Sequence, residues 1–175
     1  MKIHDIKEEQ DLRQWLAESV KAWNAAKPRD AIKMVWIEPG FGGSIGVSDA
    51  GLSYRGVDYG VELKHLHVTS KGVVYKIRPV QRRYNVMGVR TGKRLVILAT
   101  VAYKNYNDLI LIRGDNCPLR DYCSELGSGC QDGVKQIILS GDNQFRDFIL
   151  TIAEANYWPR EDDYTSRQLP LRKPQ

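Results

Sequence analysis

Seven consecutive residues, Leu95-Val96-Ile97-Leu98-Ala99-Thr100-Val101, carry no charge and none of the polar alternation of a half-exposed strand. An apolar run of that length, rich in β-branched residues, predicts a strand covered on both faces. Such a strand needs a layer of structure on each side of its sheet. One layer is predicted just upstream. Pro79 suits the first turn of a helix, where its missing N–H would be unpaired anyway. That helix should run to about Arg90 and end at Gly92, with Arg90 and Lys93 favourable near its carbonyl end. Val80, Tyr84 and Met87 are expected to face the sheet, leaving Arg82, Arg83 and Arg90 outside.

A second helix is predicted over Glu8 to Ala25. Leu12, Trp15, Leu16, Ser19, Val20 and Trp23 recur there at three- and four-residue steps, and Glu9, Arg13, Glu18 and Lys21 take the other face. Short strands follow at Met34–Glu38, Val47–Leu52, Tyr59–Leu66 and Val73–Ile77, with turns at 39–43, 53–56 and 68–72. Beyond the apolar run come strands at Leu109–Ile112 and Val134–Leu139, around an irregular Gly-, Asp-, Ser- and Cys-rich segment at 113–133. A last helix covers Asn143–Ala155, with Phe145, Phe148, Ile149 and Ile152 inward. The order predicts an α/β fold with a mixed central sheet flanked by helices, one domain over residues 1–157. From Trp158 onward three prolines and mixed charge predict an extended or disordered tail unless it docks on a partner. A chain of 175 residues, 42% apolar, suits one domain with a proper core.

One predicted strand carries unusual chemistry. In Tyr59-Gly60-Val61-Glu62-Leu63-Lys64 the side chains alternate, so Val61 and Leu63 take one face and Glu62 and Lys64 the other. A carboxylate and an ammonium thus project into one cleft, thirteen residues after a second carboxylate, Asp49. Hydrolysing a phosphodiester requires an activated water and stabilisation of charge on the phosphoryl and leaving oxygens, much of which Mg²⁺ can supply. Mg²⁺ prefers hard oxygen ligands and takes one or two carboxylates with waters and phosphate. Asp49 and Glu62 suit it, the Leu63 carbonyl offers a third ligand, and Lys64 can orient the water or stabilise developing charge. Asp58 is expected in a turn. His65 and His67 adjoin the motif as solvated or nucleic-acid-contacting residues, His67 toward the cleft of Lys64. The glycine-rich stretch Gly40–Gly46 lacks the Gly-Lys-Ser/Thr ending of a phosphate-binding loop and is expected to shape a turn.

Charge distribution points the same way. The net charge is +5, but from Leu63 to Asn107 there are ten Lys or Arg and no Asp or Glu, whereas residues 108–175 hold eight basic and eleven acidic side chains. A positive field directly behind the carboxylates favours a polyanion, DNA or RNA, because phosphate contacts dominate nucleic-acid affinity. Lys71, Lys76, Arg78, Arg82, Arg83 and Arg90 are the expected contacts.

The spacing resembles the PD-(D/E)XK nuclease superfamily, in particular the branch with VRR-Nuc domains and Holliday junction resolvases. Residues 43–49 resemble its Gly-x-x-Gly-x-Pro-Asp run, Glu62-Leu63-Lys64 its second half, and Arg78-Pro79-Val80-Gln81 its helix opening that ends in a Gln. Ser48 stands where that family has its proline, a residue the metal site does not require. The resemblance spans residues 34 to about 101. It implies a restriction-endonuclease-like core, Asp49 and Glu62 as ligands of Mg²⁺ or Mn²⁺, Lys64 as the catalytic lysine, Gln81 as a support, and Glu38 as an upstream acid. It further implies an endodeoxyribonuclease acting on DNA, with branched DNA as a candidate substrate and a homodimer if junctions are resolved.

Other classes are set aside. No apolar run approaches ~20 residues and the start lacks a signal-peptide stretch, so a cytoplasmic protein is expected, of a size that suits a stand-alone phage or mobile-element enzyme. Cys117, Cys123 and Cys130 are odd in number and spaced by six and seven residues, which suits reduced thiols better than disulfides or a zinc knuckle. The competing expectation is a catalytically inactive protein of the same fold that binds nucleic acid or a partner protein.

Overall fold

The computed structural model describes residues 1–37, 48–69, 72–75, 77–102, 107–117, 122–123, 136–139 and 143–160. The apolar run is strand β5, Leu95–Ala102, with seven of its eight residues buried. It lies between β3 (Val57–Thr69), which runs parallel to it, and β6 (Asn107–Arg113), which runs antiparallel. Helix α2 (Pro79–Arg90) makes the crossover that a parallel pair requires. With β1 (Lys33–Trp36), β2 (Ala50–Tyr54) and β8 (Gln136–Leu139), the main order is β1-β2-β3-β5-β6-β8. Two short strands, β4 (Gly72–Val74) and β7 (Tyr122–Cys123), attach beside the far end of β3. The fold is therefore α/β with a mixed sheet flanked by three helices.

Helices α1 (Glu9–Ala26) and α3 (Gln144–Ala153) cover one face. Their apolar stripes, Leu12, Trp15, Leu16, Val20 and Trp23 on α1 and Phe145, Phe148, Ile149 and Ile152 on α3, are buried as the periodicity predicts. Trp15 and Trp23 both meet Phe145 edge-on, at 6.0 and 5.9 Å between ring centroids. The ordered fold reaches past residue 157: Trp158 is 8% exposed, donates its indole N–H to the Ile152 carbonyl at 2.7 Å and packs on Tyr59.

Helix α2 covers the other face with the predicted boundaries but a different rotation. Gln81, Asn85, Gly88 and Val89 are buried, while Val80 and Met87 stand 43% and 50% exposed. Gly88 allows close approach, since a Cβ there would lie 2.3 Å from Leu95 Cδ1. The polar residues can turn inward because they find partners, as the site geometry below makes plain.

The β2–β3 hairpin is tighter than expected, with only Arg55-Gly56 between strands. Both have positive φ, 51° and 76°, the pattern that matches the twist of paired strands. Asp30 holds this corner, accepting from Tyr54 Oη at 2.7 Å and Arg55 Nε at 2.9 Å. No helix among the described residues is long and apolar enough to cross a membrane.

Candidate active site

The site lies where the sheet forks. Strand β3 pairs with β2 only as far as Val61 and with β4 only from His67, leaving its edge between them without a strand partner among the described residues. The peptide groups of Leu63 face that opening. Asp49, immediately before β2, fills it with a side chain: Oδ2 accepts the Leu63 amide at 2.8 Å. Its own carbonyl is fixed by the Ile37 amide at 2.9 Å. The Leu63 carbonyl is held by Lys64 Nζ at 2.8 Å, and the same ammonium lies 2.8 Å from Glu62 Oε1. Asp49, Glu62, Leu63 and Lys64 thus converge as the sequence predicts.

Gln81 completes the cluster from α2. Its amide nitrogen donates to Glu62 Oε1. Its Oε1 accepts from the Arg78 backbone N–H at 3.2 Å, and its carbonyl accepts from Asn85 Nδ2 at 2.8 Å. A glutamine in the third helical position supplies the reach-back half of a capping box, accepting the N-cap amide, so its side chain is oriented by the helix start before it reaches the carboxylate.

Sequence periodicity placed Glu9 on the outer face of α1, and the structure finds it at the site: its Oε2 is 3.5 Å from Lys64 Nζ. Glu38, the predicted upstream acid, lies outside the described residues, as do Lys71 and Lys76. A carboxylate in a first helical turn gives no local hint of what it meets across the fold.

Burial governs the electrostatics. Glu62 is 1% exposed, and its desolvation raises its pKa; Lys64 opposes this, while Asp49 and Glu9 add to it. For Lys64 burial works downward, but the charge and hydrogen bond of Glu62, with Glu9 and Asp49, outweigh it and hold the ammonium above its ordinary range. Three carboxylates therefore surround one cation. That surplus of negative charge, with the Leu63 carbonyl alongside, is a hard-oxygen set that fits Mg²⁺ or Mn²⁺. Among the described residues no three His, Cys, Asp or Glu side chains form a metal-holding group, so a cation here would draw on the carbonyl, water and phosphate as well.

Other predicted residues fall elsewhere. Arg78, Arg83 and Arg90 are exposed on α2, Arg90 roughly 14 Å along the axis from Gln81. Arg82 is half-buried beside Cys117, with Nε unpaired among the described residues, and so does not point freely to solvent. Cys117 itself is 4% exposed, and burial pushes its thiol up to about 12. His67 shares the face of His65, opposite Lys64, because an odd step along a strand reverses the face. The two imidazoles meet at 4.9 Å, and His65 Nδ1 lies 2.7 Å from Thr100 Oγ1. Asp58 is an exposed residue near the start of β3, roughly 13 Å from Glu62 along the strand, too far to replace Asp49.

No family model matches this chain, and no curated protein matches it.

Proposed function

We propose that this protein is a Mg²⁺- or Mn²⁺-dependent nuclease that hydrolyses DNA phosphodiester bonds. The observation that carries the reading is the placement of Asp49 on the Leu63 amide at 2.8 Å, which brings a second carboxylate to the buried Glu62–Lys64 pair and the Leu63 carbonyl between them. In this reading Asp49, Glu62 and the Leu63 carbonyl hold the cation, which supplies Lewis-acid activation of water and charge neutralisation. Gln81 orients Glu62 by its hydrogen bond. Glu62 and Glu9 keep Lys64 protonated, so the ammonium can face the phosphoryl oxygens as charge develops there. Lys64 must first release the Leu63 carbonyl, and both carboxylates remain as its partners. The exposed Arg78 and Arg83 at the head of α2 give the phosphate backbone its contacts.

A second reading has its own support. Glu62, Lys64 and Gln81 satisfy one another almost completely, as a purely structural polar network would. The protein would then be an inactive member of the fold that binds nucleic acid.

Incubation with plasmid, four-way junction and single-stranded DNA, with Mg²⁺ or Mn²⁺, separates the two. Cleavage by wild type that disappears in Asp49→Ala and Lys64→Ala supports the nuclease. Cleavage of no substrate, or equal cleavage by all three proteins, overturns it. Junction cutting would in addition call for a homodimer, read by light scattering.

A further inference from the structure

We infer that the groove between α1 and β1 is a stacking subsite for an unpaired nucleobase of the strand whose phosphate enters the candidate active site. The inference rests on the nuclease reading and adds a substrate class to it: DNA with unpaired bases beside the scissile phosphate.

The groove is lined by Gln10, Arg13, Gln14, Ala17 and Trp36 and encloses about 270 Å³. That is below the ~300 Å³ at which drug-sized pockets begin, so it admits a single ring system. Trp36 is 38% exposed, against 5%, 8% and 8% for Trp15, Trp23 and Trp158. A tryptophan serving only the core would be buried like the other three. The Arg13 guanidinium lies over its ring, 4.8 Å from the centroid. Indole and guanidinium are both side-chain planes on which bases stack without regard to sequence.

Stacking chemistry and position select the occupant. By helical periodicity, Gln10, Arg13, Gln14, Ala17 and Lys21 share one flank of α1, a strip with two cations that is bordered by Glu9 and by Glu18, whose Oε1 accepts from Gln14 Nε2 at 2.8 Å. The groove lies on the α1 side of the sheet and the Glu62–Lys64 pair on the α2 side, and the Glu9–Lys64 contact links the two sides at the fork. Trp36 pairs with Ala50, next to Asp49, and Arg13 is one helical turn from Glu9, which touches Lys64. In the proposed path a strand entering the fork past Asp49 sets its neighbouring base against Trp36. A fastening of β1 to α1 by the Arg13–Trp36 contact alone does not account for the open groove.

Titration with a short oligothymidylate, in EDTA to prevent cleavage, tests this through tryptophan emission, since Trp36 is the exposed indole; a blunt duplex is titrated in parallel by anisotropy. Wild type should bind the oligothymidylate with quenching. Trp36→Leu should lose the quench and bind roughly tenfold more weakly, Trp36→Phe should keep most of the affinity, and Arg13→Gln should be intermediate. Duplex affinity should stay within about twofold for all four proteins, the contacts there being mainly to phosphate. Binding without quenching, or unchanged oligothymidylate affinity in Trp36→Leu, overturns the subsite and leaves the nuclease reading standing. Should Trp36→Leu fail to fold by thermal melt, wild-type affinity in Arg13→Gln is the overturning result. Absence of both DNA binding and cleavage in wild type overturns the nuclease reading and this inference together.

Discussion

The two faces of one sheet are put to opposite uses. Against α1 and α3 lies a large apolar cluster containing Trp15, Trp23, Phe145 and Phe148, closed at its edge by Trp158. Against α2 lies a smaller apolar patch of Leu66, Ile97, Ala99 and Val101, and beside it the buried polar set Glu62, Lys64, Gln81 and Asn85. Apolar packing is tolerant of small displacements, whereas a buried charge is stable only while each partner stays within hydrogen-bond reach. Stability is thus concentrated on the face away from the chemistry, and the α2 face can hold carboxylates whose burial costs free energy.

That division can be broken most severely from the apolar side. Phe148→Ala, at a fully buried position, should cost about 3–5 kcal/mol in denaturant unfolding while leaving the metal dependence of any cleavage unchanged. Next in size, Lys64→Ala should lower cleavage by about a hundredfold or more while the helical circular dichroism persists. A change that touches both faces should couple the two effects. A Cβ at Gly114 would lie 2.9 Å from the Leu95 carbonyl and 3.1 Å from that of Asn85, both backbone atoms that cannot swing aside. Gly114→Ala should therefore cost about 1–3 kcal/mol and, by displacing α2 and Gln81, reduce cleavage as well.

The polar face should also respond to cation and pH. Because burial raises the folded pKa of Glu62 above its unfolded value, this group favours the native state only while protonated. Its contribution is lost as pH rises through the folded pKa. Added Mg²⁺ should relieve that loss, raising Tm by about 3 °C at ten times Kd near neutral pH. The rise should shrink as pH falls and Glu62 takes up its proton, and it should vanish in Glu62→Gln. Equal rises in both proteins would exclude Glu62 as a ligand. The smallest effect is expected at Ser48, 3% exposed, whose hydroxyl has no partner among the described residues. Ser48→Ala removes a buried unpaired group and should leave stability unchanged or raise it by up to about 1 kcal/mol.

Much of this was legible in the sequence, for a reason that also marks its limit. The double-sided burial of Leu95–Val101, the bounds of α2 at Pro79 and Arg90, the inward stripe of α3 and the shared face of Glu62 and Lys64 all follow from local periodicity and end signals. Those signals do not fix how a helix is rotated against a sheet. The expected inward face of Val80 and Met87 failed because Gln81 had a carboxylate to meet and Gly88 a leucine to approach.

By itself, then, the sequence determined the α/β class, the element order and the pair Glu62–Lys64. Only the tertiary structure decided that β3 loses its β2 partner after Val61, so that Asp49 caps the Leu63 amide. It likewise decided that Glu9 reaches Lys64 and that Trp36 stands in a groove of α1. These are meetings between segments far apart in the chain. They depend on strand order and on where a pairing stops, and no periodic pattern encodes either.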